Sequence, residues 1–287
     1  GSASIWVKDF NNESKYLNNI TILGNTSFVN DLMDKKRYLN LDLENQAFSS
    51  RNIMYVNEFI KSNLKKKFDL VEIHNRPSYV HQIFESKMKI KIILIFHNNP
   101  ITLGGSKTLE ERKTLLEICE KLIFVSNWVR ERFFEGFERK SHNKCIVIYP
   151  SVGPLKKFPK KKKIISFVGK LNRSKGFNVF GNSIIKILKK YKEWNAIVIG
   201  DEPREVYNFK HKRLKYKGWI SHKKALDLYE KTSISVVPST WEEPFGRTAM
   251  EAASRGCATI VSKRGGLIET VNDAIFLTEV SQKEVFD

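Results

Sequence analysis

The chain has 287 residues, enough for two domains of ordinary size that each bury a core. Fifty Lys and Arg against 31 Asp and Glu leave a net charge of +19, which points to anionic partners: phosphate ligands, anionic lipid or nucleic acid. No stretch reaches the roughly twenty apolar residues a bilayer crossing needs, and no basic-then-apolar leader opens the chain, so the expectation is a soluble, cytoplasmic protein.

The opening, Gly1-Ser2-Ala3-Ser4-Ile5-Trp6-Val7, reads either as a cloning remnant or as the end of a glycine loop entering a helix, with a strand missing upstream. Short apolar runs then recur, each followed by a helix-compatible stretch. They lie at 20–23, 70–74, 92–96, 122–125 and 145–149, and again at 164–168, 196–199, 234–237, 258–261 and 275–277. Continuous rather than alternating runs fit strands covered on both faces, hence an α/β chain with a doubly wound parallel sheet built twice. Pro150-Ser151-Val152-Gly153-Pro154 interrupts the pattern and divides the chain into 1–152 and 153–287. Two such sheets facing each other make a cleft at the carboxyl ends of their strands. The chain stops soon after its last strand, without the closing helices such a domain usually needs.

Within the first half, 54–68 sets Phe59, Ile60, Leu64 and Phe68 among Lys61, Lys65, Lys66 and Lys67. Such a helix either packs on its own sheet or rests on an anionic membrane surface. His97 follows the run 92–96, and His74 ends the run 70–74; both occupy strand ends that face a ligand, and an imidazole there hydrogen-bonds a hydroxyl or polarises a reacting centre. Cys119, Cys145 and Cys257 lack paired spacing and read as buried small apolar residues.

The second half carries the phosphate chemistry. Between Gly153 and Gly200 stand thirteen Lys and Arg and one acid, Glu193. Gly169-Lys170-Leu171-Asn172-Arg173-Ser174-Lys175-Gly176 follows a strand and spaces cations to grip a diphosphate. Lys217-Gly218-Trp219-Ile220 is an apolar turn able to flank a nucleobase, and Lys263-Arg264-Gly265-Gly266-Leu267 offers main-chain N–H groups near a sugar. Between them, Glu243-Pro244-Phe245-Gly246-Arg247-Thr248-Ala249-Met250-Glu251 reads as a helix with Pro244 in its first position. The helix start faces an anion, Gly246 lets a phosphate approach closely, and Glu251, two turns in, accepts hydrogen bonds from a ribose diol. No Asp-x-Asp pair follows a strand, so cations and helix dipoles take the place of a metal.

Together these blocks resemble the retaining glycosyltransferases of family four, most closely those building bacterial lipopolysaccharide core and surface glycans, from 122–129 to Gly266 most strongly. The resemblance implies the GT-B fold of two facing Rossmann-like domains and metal-independent transfer of a hexosyl unit, with retention, from a nucleotide diphosphate sugar, UDP- or GDP-linked. The acceptor it implies is a glycan or lipid-linked glycan, and a peripheral place on the inner face of the membrane is compatible with it. It places Glu243 by the transferring carbon, Glu251 on the ribose, His97 in the active site, Gly1 at the remnant of a glycine loop, and Lys170, Lys175, Gly246, Arg247 and Thr248 on the diphosphate, with Phe245 beside them. Lys170 stands where arginine is common, which keeps charge and loses bidentate geometry. A GT-B epimerase or phosphorylase is the nearest rival, and a non-catalytic anion binder the rival from another class; no nucleic-acid module signature is present.

Overall fold

The computed structural model describes residues 4–7, 14, 19–25, 37–41, 50–155 and 157–287, which form two compact units, 1–149 and 150–287. Gly1 lies outside the described residues.

In the first unit, β1 (Ile22–Gly24) and β2 (Tyr38–Asn40) pair in parallel. The main sheet follows: α1 (Arg51–Lys66), β3 (Leu70–His74), α2 (Pro77–Glu85), β4 (Lys91–Phe96), α3 (Leu109–Ile118), β5 (Lys121–Phe124), α4 (Asn127–Phe133) and β6 (Cys145–Val147). Its four strands run parallel in the order β3-β4-β5-β6. Two of the helices begin at side-chain caps: Thr108 and Glu111 close a capping box on α3, and the Ser126 hydroxyl accepts the Val129 N–H at 3.1 Å to start α4. Phe96, Phe124 and Phe133 stack behind the sheet with ring centres 5.3 to 5.6 Å apart, each burial worth about 2–3 kcal/mol.

The α1 helix spends its apolar face inward. Met54, Val56 and Phe59 are buried, Phe68 lies parallel to Phe59 at 6.3 Å, and of the apolar residues expected to meet lipid, Leu64 is the exposed one. The packing alternative accounts for Phe59 and Phe68, while Leu64 stays exposed among the lysines.

The second unit contains β7 (Lys162–Val168), α5 (Phe177–Lys190), β8 (Asn195–Ile199), β9 (Leu214–Tyr216), α6 (His222–Lys231), β10 (Thr232–Val237), α7 (Arg247–Ser254), β11 (Ala258–Ser262), β12 (Ile275–Leu277) and α8 (Gln282–Phe286). Its six parallel strands lie in the order β12-β11-β10-β7-β8-β9. The chain starts mid-sheet, moves outward to β9, then crosses back to β10, so the connections leaving β7 and β10 diverge. That reversal opens a crevice at the carboxyl ends of the two central strands. Phe167, Phe177, Phe180, Ile184 and Leu188 fill the layer between α5 and the sheet.

No helix among the described residues is long and apolar enough to cross a membrane. Cys119 and Cys257 are buried as expected; Cys145, on edge strand β6, is half-buried.

Candidate functional site

The loop after β7 is built around one side chain. Asn172 Oδ1 accepts the Lys175 N–H and the Ser174 hydroxyl, both at 3.0 Å, which curls residues 173–175 into a single tight turn. The turn ends at Gly176, whose φ is +69° and whose missing side chain leaves room for the Pro238 carbonyl at the end of β10. The two loops are joined there: the Ser174 carbonyl accepts the Thr240 N–H at 3.0 Å and the Trp241 N–H at 3.2 Å.

This junction sets Glu243. The residue is 8% exposed, and its Oε1 accepts from Lys175 Nζ at 2.6 Å and from the Ser239 hydroxyl at 2.8 Å. Lys175 and Glu243 are thus brought together across 68 residues, as a half-buried ion pair. Ser239, fully buried at the end of β10, was not singled out by sequence reasoning; its signal is its position four residues ahead of the acid, straight after a strand. The Gly266 N–H donates to the Glu243 carbonyl at 2.7 Å, so this amide of the second glycine turn holds the acid's backbone.

The helix carrying Glu251 starts later than expected. Gly246 adopts φ +106°, which no helical residue can, and it caps α7 from outside; Pro244 therefore precedes the helix, and Glu251 lies little more than one turn into it. The start has no side-chain cap, so the α7 N-terminus at Gly246, Arg247 and Thr248 points its dipole outward. Glu251 is 5% exposed, with Oε1 3.2 Å from Arg247 Nη2 and 2.9 Å from His222 Nε2 at the start of α6. His222 is the second residue that sequence reasoning missed, since nothing local links it to an acid 29 positions away.

The remaining residues are more dispersed. Phe245 is buried beneath the loop, Ile220 is half-buried, and Trp219 is 83% exposed. Lys170 is exposed and lies near Glu202, whose carboxyl is held down at about 2, chiefly by the Arg204 guanidinium at 2.6 and 2.8 Å, with Lys170 adding to the effect. Among the described residues no hydrogen bond or ion pair ties Lys170 or Trp219 to Glu243 or Glu251. The described residues hold no group of three or more His, Cys, Asp or Glu side chains placed to bind a metal.

In the first unit the two candidate histidines are partners. His74 Nδ1 and His97 Nε2 lie 3.0 Å apart, so one nitrogen carries the shared proton and the other accepts it. Asn75, left-handed at φ +55°, fixes the junction by accepting the His97 N–H at 2.7 Å and the Asn98 N–H at 3.1 Å. Trp6 meets the His97 ring edge-on at 5.4 Å. Burial pushes the His74 imidazole down to about 4 and pushes the Glu72 carboxyl up. Unfolded His74 takes its proton near 6.5, so between about 6.5 and about 4 the unfolded chain binds more protons, and His74's contribution to stability is lost as pH falls through that window. The urea midpoint of the wild type should therefore drop between pH 7 and pH 4.5 more steeply than that of His74→Gln; parallel curves would remove the neutral buried imidazole.

A single parallel sheet thus supplies an ammonium, two buried acids and a helix N-terminus around one crevice. The combination suits an anion flanked by hydroxyl groups. The family model described as glycosyl transferases group 1 matches residues 155–286. Among curated proteins, a putative glycosyltransferase, YtcC, of Bacillus subtilis is 25% identical over 72% of this chain and 58% of its own length. The chain spans less than two thirds of the length of the curated relatives first matched. Among solved structures, the apo lipopolysaccharide outer core galactosyltransferase WaaB superposes with a TM-score of 0.68 at 17% identity, over 100% of this chain and 85% of its own. Anabaena Alr3699/HepE in complex with UDP-glucose gives a TM-score of 0.64 at 16% identity, over 81% and 70%. The likeness to these structures is one of fold, and the fold is GT-B.

Proposed function

We propose, from the match of residues 155–286 to the glycosyl transferases group 1 family model, that the protein transfers a hexosyl unit from a nucleotide diphosphate sugar to a hydroxyl of a glycan or lipid-linked glycan. The setting is cell-surface polysaccharide or lipopolysaccharide synthesis on the cytoplasmic side, and the anomeric configuration is retained. The observation that carries this reading is the Lys175–Glu243–Ser239 cluster at the reversal point of the second sheet, beside the start of α7.

In this reading the diphosphate takes the α7 N-terminus and Lys175, with Lys170 reaching from the rim. Breaking the bond between the anomeric carbon and the phosphate oxygen puts negative charge on the leaving group, which these groups stabilise. The acceptor oxygen bonds to the same face of the carbon, and its proton passes to the departing phosphate. Glu243 binds the donor sugar close to that carbon; Glu251 binds the ribose while Arg247 and His222 orient it. On the first unit, His74 sets which of the His97 ring nitrogens bears the proton. Cations and amides supply the charge stabilisation, and no metal takes part.

The test is a thermal-shift panel of UDP, GDP and their sugar conjugates, repeated with excess EDTA. A ligand at a hundredfold its Kd stabilises by about 2.7 kcal/mol, roughly 5–10 °C for a chain of this size. One nucleotide series should give that shift with or without EDTA, and Lys175→Ala should reduce it by more than half. A flat panel across every nucleotide diphosphate would sink the reading.

A further inference from the structure

The parallel order of the second unit gathers the amino ends of its strands at the edge opposite the crevice. The segments entering that edge between β7 and β9 are strongly basic: 186–194 and 210–213 together carry seven Lys and Arg and one acid. The acid, Glu193, sits 3.4 Å from Lys163 at the start of β7, and its carboxyl is held down first by its own backbone N–H and then by Lys163 and Arg213. The Arg213 guanidinium in turn closes the end of α5 by donating to the carbonyls of Tyr191 at 2.9 Å and Trp194 at 2.7 Å, and also to those of Leu188 and Lys192.

The lysines around this anchor have no such employment. Lys189, Lys192 and Lys212 are exposed and form no ion pair among the described residues. Together with Arg213 they act on one ring: His211 is pushed down first by burial and then by all four of these cations. Like charges crowded on one face repel and weaken the fold, and a merely solvated surface relieves this by interleaving acids. Here Glu193 is the one acid in the two segments, and the site already described lies at the other end of the strands.

We propose that this amino-end face of the second unit is a docking surface for an anionic lipid bilayer. Lysine predominates, and a compact ammonium on a flexible stem suits a diffuse sheet of headgroup charge, adding about fivefold to partitioning per residue. Readers of single-stranded nucleic acid interleave aromatic stacking platforms with their cations. Within these two segments the exposed ring is Tyr191, and Lys190 Nζ covers it at 5.3 Å. The proposal does not rest on the transferase reading, because none of these residues lines the crevice.

The experiment is sedimentation of the full chain with vesicles of phosphatidylcholine alone or with one third phosphatidylglycerol, at low and high salt. Binding to the anionic vesicles only, lost at high salt, is expected. The variant K189E/K192E/K212E should partition at least about 25-fold more weakly, with unchanged nucleotide thermal shifts, while K61E/K65E/K66E on α1 should bind as the wild type does. Wild-type partitioning by the first variant, loss of binding by the second, or capture of a single-stranded oligonucleotide in place of anionic vesicles would each overturn it. A flat nucleotide panel with vesicle binding intact would strike the transferase reading alone.

Discussion

Glu243→Gln is expected to lower turnover of the donor sugar by about a hundredfold to a thousandfold, the scale of losing one preorganised electrostatic contact at a reacting centre. The substitution keeps the shape and still accepts the Ser239 hydroxyl, so it removes charge with little else. Its cost to folding is small because the partner is not sealed in: the Lys175 side chain is 31% exposed and water takes over its solvation. The melting temperature should therefore stay within a few degrees of wild type. Released from its counter-charge, Lys175 remains available to a diphosphate, so the free nucleotide should bind at least as well as before. Steady-state kinetics beside calorimetric titration checks this: turnover should fall while nucleotide affinity does not. Undiminished turnover would take Glu243 out of the reaction.

The second large effect is one of architecture. Gly176→Ala should destabilise the second unit by about 3–5 kcal/mol. A left-handed backbone costs an alanine roughly 1–2 kcal/mol, and its methyl would fall on the Pro238 carbonyl oxygen, which cannot rotate away as a side chain would. Relief requires the β7 and β10 loops to part, which breaks the hydrogen bonds from Thr240 and Trp241 to Ser174 and with them the seat of Glu243. Urea unfolding followed by tryptophan fluorescence reads the first consequence, and loss of nucleotide thermal shift reads the second. An alanine variant as stable as wild type would mean that the two loops do not meet as described.

The strands were legible where apolar residues run without interruption. Leu70–His74 and Ile275–Leu277 have the bounds their runs suggest. The boundaries slip where hydrogen bonding and burial part company. β7 begins at Lys162 because its backbone pairs with Thr232 although its side chain stays in solvent, and β6 stops at Val147, although Ile148 still donates to the Phe124 carbonyl, with the side chains of Ile148 and Tyr149 exposed. Tyr38–Asn40 carries too little apolar pattern to be seen at all. In the crevice, the residue types were legible from glycine and charge spacing, but the pairings were not. Lys175 with Glu243 and His222 with Glu251 depend on the order of strands in a sheet, which no window of adjacent letters contains. The helix start was misplaced because proline's preference for a first turn is weaker than glycine's monopoly on φ +106°.

The contacts described for Glu243 and Glu251, from Lys175 to Gly266, come from the unit that begins at Pro150. On the transferase reading proposed above, these contacts of the donor site form a self-contained cassette. Gene exchange upstream of that proline would then offer the same donor to a new recipient without retuning a single one of those bonds.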